Sequence, residues 1–108
     1  MTERVQANDA VQRAKQLQDL QIAWHMRLTH ARTSALTLQL VDGLFTKPVI
    51  TIPEAQRLLG VTYKSAQLTV ERLLTEGMLQ PVGDGVTYGK AFWASEILDI
   101  VTENNDEA

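Results

Sequence analysis

The sequence predicts a mostly α-helical fold with a small β-hairpin, a winged helix-turn-helix preceded by a long N-terminal helix. Three observations predict it. Residues 51–77 hold two short helical patterns, each opened by a capping threonine and closed by a glycine. Directly after them, two β-leaning segments flank Gly83-Asp84-Gly85, the composition of a hairpin turn. Ahead of them, residues 5–32 contain neither proline nor glycine and carry apolar side chains at steps of three and four.

The first element is expected to be one helix, with Leu17, Leu20, Trp24, Leu28, Ala31 and Ala35 along a single stripe. Helical throughout, it would run about 40 Å at 1.5 Å per residue, more than a core built from the remaining chain needs. Ile22 and Met26 lie off the stripe and widen its apolar face. Leu17, Leu20, Trp24 and Leu28 therefore have two readings, as core residues or as the contact with a second copy or a neighbouring domain.

A second helix should begin at Thr33 or Ser34, both good caps, with Leu36, Leu40, Val41, Leu44 and Phe45 facing in. Lys47-Pro48 ends it, because the residue before proline is pushed out of helical angles. Val49-Ile50-Thr51 is β-branched and reads as a short strand.

Thr51 and Glu54 then have capping-box spacing, and Pro53 sits in the first turn, where its missing N–H costs nothing. Ala55, Leu58 and Leu59 recur at helical spacing, and Gly60 closes the helix. Thr62 opens the next, with Ala66, Val70, Leu73 and Leu74 as its inner stripe and Gly77 as its end. Met78–Val82 and Val86–Phe92 form the wing, where Pro81 confines the first segment to an edge. A last helix starts at Ala94 or Ser95, with Ile97, Leu98 and Val101 inward. The organisation expected is a long helix over 1–33, a winged helix-turn-helix domain over 34–103 and a disordered acidic tail over 104–108.

At 108 residues, one core is enough. The chain has no cysteine, which removes disulfides and thiolate metal sites and suits a reducing compartment. No apolar run nears the roughly 20 residues that cross a bilayer, and the polar, mixed-charge start resembles no secretory signal. A cytoplasmic protein without membrane partners is expected. Ten Lys and Arg against thirteen Asp and Glu give a net charge of −3, an unusual balance for a binder of nucleic acid.

Catalysis finds no footing. His25 and His30 stand five apart on one helix and point to different sides, so no metal site is expected. Asp42 and Glu54 read as isolated carboxylates at helix ends, and no phosphate-binding loop occurs, so no cofactor is expected. Trp24 and Trp93 read as packing anchors rather than stacking platforms. The candidate surface is the outer face of the second helix of the helix-turn-helix, with Tyr63 at its start. Lys64, Gln67 and Arg72 there can contact phosphates or base edges, while Leu68 suits a protein partner and Glu71 opposes a phosphate backbone. The wing adds Lys90.

From about Val11 to Val101 the chain resembles the C-terminal region of Fic-family (filamentation induced by cAMP) proteins, in which a long helix and an LF-x-x-P segment lead into a winged helix. The resemblance is carried by Leu44-Phe45-Thr46-Lys47-Pro48-Val49-Ile50-Thr51, by Ala55 with Leu58-Leu59-Gly60-Val61-Thr62, and by Ala66 to Leu74. It continues in Glu76-Gly77-Met78-Leu79 and in Phe92 with Ala94-Ser95-Glu96-Ile97-Leu98. Fic enzymes transfer AMP or a related nucleotide moiety with an HPFxDGNGR-type motif; here neither histidine precedes a proline and no D-G-N-G occurs. The resemblance thus implies a non-catalytic accessory domain of a Fic-like nucleotidyl transferase. Its partner would be a Fic catalytic domain or a second copy of the chain. The alternative is a dimeric winged-helix DNA-binding transcriptional regulator.

Overall fold

A computed structural model describes residues 2–83 and 91–102, with side chains from Ala10 onward. The elements follow the expected order. They are α1 (Thr2–His30), α2 (Ala35–Thr46), β1 (Val49–Thr51), α3 (Ile52–Leu59), α4 (Tyr63–Thr75), β2 (Gln80–Pro81), β3 (Ala91–Trp93) and α5 (Ser95–Thr102). The three strands make one antiparallel sheet in the order β1-β3-β2, with Ile50 opposite Phe92 and Gln80 opposite Trp93. Pro81 therefore lies on an edge strand, where its missing N–H breaks no ladder bond. Ile50 and Phe92 point to the core, while their neighbours Val49 and Trp93 face out. Strand β2 is shorter than the expected Met78–Val82. Met78 and Leu79 are buried ahead of β2 rather than within it, and residues 84–90, with the tip and Lys90, lie outside the described residues. So does the tail over 104–108.

The helix-turn-helix is built by local chemistry. The Glu54 amide donates to Thr51 Oγ1 and the Thr51 amide to Glu54 Oε1, a complete capping box worth about 1 kcal/mol. Lys47 also donates to Glu54; with the Thr51 amide it holds that carboxyl down at about 2. Thr62 Oγ1 accepts from the Ser65 amide at the start of α4. At the far ends, Gly60 and Gly77 turn left-handed so that the next amides, on Val61 and Met78, reach back to Gln56 and Leu73 carbonyls. The end of α1 repeats this closure, with the Thr33 amide donating to the Leu28 carbonyl, but the left-handed residue is Arg32, at φ +58°. A side chain there costs about 1–2 kcal/mol that glycine would not.

One core joins all the helices. It holds Trp24 and Leu28 of α1, Leu40, Val41 and Leu44 of α2, Ala55 and Leu59 of α3, Ala66, Val70 and Leu73 of α4, and Ile97 of α5. Several expectations need correction. Trp24 and Leu28, read as possible contacts with a second copy or a neighbouring domain, belong to this core, and Trp24 meets Phe45 edge-on at 5.6 Å between ring centres. Leu17 and Leu20 are half-buried against the same core, and Ala31 and Ala35 are exposed because the chain turns away between α1 and α2. On α4 the stripe is shifted by part of a turn. Thr69 is buried with its hydroxyl donating to the Ser65 carbonyl, while Leu74 is only half-buried. Val101 is exposed near the end of α5.

Candidate functional site

With Ala66, Thr69, Val70 and Leu73 underneath, helical periodicity sets Lys64, Leu68, Glu71 and Thr75 on the far side of α4. All four are exposed. Of the residues singled out from the sequence, Tyr63, Lys64, Leu68 and Arg72 lie at the surface, and Gln67 is half-buried on one flank. Tyr63 and Leu68 each keep about half of their surface, 52% and 53%. Lys90 lies outside the described residues.

Arg72 sits on the other flank and does more than the sequence indicates. It lies 3.4 Å from Glu76, one turn on, and Glu76 is shared with Arg27 of α1, which reaches both its carboxylate and its backbone carbonyl. Counted along the sequence, Lys64 and Arg72 are cancelled by Glu71 and Glu76. In the fold, Glu76 stands between Arg72 and Arg27, so at the end of α4 two arginines share one carboxylate.

A groove of about 360 Å³ runs between this flank of α4 and the α1–α2 turn. Ser65, Leu68, Thr69 and Arg72 form one wall, and Arg32, with the first turn of α2, forms the other. Among the described residues no carboxylate lines it. Arg32 and Ser65 were not among the candidates read from the sequence. Arg32 stands 40 residues before Arg72, and only the packing of α2 on α4 makes them neighbours.

An ionisable cluster away from this surface joins two helices. Asp42, expected to cap a helix end, lies inside α2 and accepts hydrogen bonds from His25, at 2.6 Å, and Gln21, at 2.8 Å. Partial burial pushes its carboxyl up, but the bonds from His25 and Gln21 together outweigh this, and the net shift is downward. This pair ties α1 to α2. Among the described residues no group of three or more His, Cys, Asp or Glu could hold a metal ion, and no helix is long and apolar enough to cross a membrane.

No protein-family model matches the chain, and no curated protein does. Among solved structures, the chain is similar to the crystal structure of a MarR family transcription regulator, with a TM-score of 0.52. The match spans 98% of this chain and 75% of that one, at 15% identity. At that identity the likeness is one of architecture, and it agrees with the order of helices, strands and wing described above. The fold is a winged helix-turn-helix.

Proposed function

We propose that this chain is a winged-helix DNA-binding regulator that works as a cytoplasmic dimer and lays α4 against the duplex. One observation carries the proposal. Among the described residues the outer face of α4 is left uncovered and keeps Lys64 and Arg72 at the surface, and Arg27 joins Arg72 on Glu76, so two arginines share that carboxylate. Lys64 and Arg72 are suited to phosphates or to the acceptors on guanine, and Gln67 to adenine. Charge on this face matters more than the acidic whole, because binding depends on the cations that meet the backbone. The solved neighbour, described as a transcription regulator, supports the same role. Dimerisation is assigned to α1, about 43 Å long at 1.5 Å per residue over its 29 residues. Its outer side leaves Val11, Ile22 and Met26 exposed, and their burial against a second copy would stabilise a pair.

Electrophoretic retardation of duplex DNA tests the proposal. The protein should retard duplex at low salt and lose affinity steeply as salt rises. The double substitution Lys64→Ala with Arg72→Ala should abolish retardation while leaving the melting temperature nearly unchanged, since exposed ion pairs contribute little to stability. Absence of retardation at low salt removes this reading. It would favour the second one, a protein-contact domain serving a Fic-like nucleotidyl transferase, which the exposed Tyr63 and Leu68 support.

A further inference from the structure

We infer that the groove between the α1–α2 turn and α4 is a seat for a DNA backbone phosphate, gripped from both sides by Arg32 and Arg72. The inference rests on the DNA-binding reading and adds to it a residue outside the helix-turn-helix. Two guanidinium side chains from distant parts of the chain line one open groove, and among the described residues no carboxylate lines its walls. Arg72 has Glu76 beside it, yet Glu76 is also engaged by Arg27. Arg32 has no ion pair among the described residues. Like charges across a groove repel, and an anion between them removes the repulsion. Guanidinium forks match the geometry of phosphate oxygens, and the hydroxyls of Ser34 and Ser65 lie along the same walls.

The groove also lies where a duplex would need it. It borders Leu68 and Arg72 on one flank of α4, so a duplex laid on the outer face would bring a strand along that flank. A phosphate contact of this kind fixes the register of the protein on the duplex and reads no sequence. The backbone at Arg32 makes the assignment testable without unfolding the protein. Helices α3 and α4 end in the same closure with Gly60 and Gly77 at the left-handed position, so glycine suits position 32 better than arginine does.

The test compares the full chain with Arg32→Gly and with Arg32→Gly combined with Arg72→Gln, on several short duplexes of unrelated sequence across a range of salt. Arg32→Gly should keep or raise the melting temperature and weaken all duplexes by the same factor. The slope of log affinity against log salt should become shallower by about 1 per bound protomer for the single variant and about 2 per bound protomer for the double. Retardation by the full chain with an unchanged slope in Arg32→Gly would overturn the phosphate seat and leave the DNA-binding reading standing. A loss confined to one sequence would make Arg32 a reader of bases and overturn it equally. Failure of the unmodified chain to retard any duplex at low salt would overturn both.

Discussion

Helices α1 and α4 contrast in how much of themselves they hide. The 13 residues of α4 bury Ala66, Thr69, Val70 and Leu73, while the 29 residues of α1 bury only Trp24 and Leu28 among the side chains described. Both show apolar residues at helical spacing. Helix α4 is bracketed by a threonine cap and a glycine closure, so its position is set locally and its inner stripe faces a core directly beneath. Helix α1 has a long run with one short anchored stretch near its C-terminal end. There Trp24 meets Phe45, His25 and Gln21 reach Asp42, and Arg27 reaches Glu76. The contrast teaches that an apolar stripe reports which side of a helix is sticky. How much of that side the chain itself covers depends on where the other elements end.

The largest effect expected is at the anchored stretch. Trp24→Ala should cost about 3–5 kcal/mol of folding stability, read by chemical denaturation, with the loss independent of protein concentration. A loss seen only as weaker self-association, with monomer stability intact, would return Trp24 to the role of an interface residue. Leu73→Ala, the matching truncation under α4, should cost about 2–5 kcal/mol by the same measurement, and an unchanged transition would mean that α4 is rolled the other way. Thr51→Ala should be milder, about 1 kcal/mol, because it removes a cap rather than packing.

Acid should expose the same local device. The Glu54 carboxyl falls from 4.5 to about 2 on folding, so its contribution is complete above pH 4.5 and fades as pH drops toward 2. The melting temperature of the native chain should fall more steeply across that window than that of Glu54→Gln; parallel curves would deny the pairing with Lys47 and Thr51. Smallest of all should be Ile22→Ser with Met26→Ser on the exposed side of α1, within about 0.5 kcal/mol for the monomer. Light scattering of that variant then shows whether this side holds two copies together.

Much of the fold is legible because its signals are short-ranged. Thr51, Glu54, Gly60, Thr62 and Gly77 act on amides and carbonyls within a few residues, and each stands where the expected helix end lies. The edge position of Pro81 is legible for the same reason. Other features depend on partners far along the chain. The amide that opens α5, on Ser95, donates to the Gln80 side chain 15 residues earlier, a cap no local motif announces. Asp42 looks like a helix-end carboxylate until α1 brings His25 and Gln21 to it.

The candidate surface divides in the same way. The exposed positions of Lys64, Leu68 and Arg72 follow from periodicity alone. Arg32 does not, because nothing near it marks a left-handed arginine or a groove. The sequence by itself determined the winged helix-turn-helix, since caps, turns and apolar spacing work through neighbours a turn or a strand away. Only the tertiary structure decided that Trp24 and Leu28 lie inside, that Arg27 takes hold of Glu76, and that Arg32 and Arg72 line one groove. Those outcomes depend on separations in space between residues distant in sequence, which the packing of helices against one core creates.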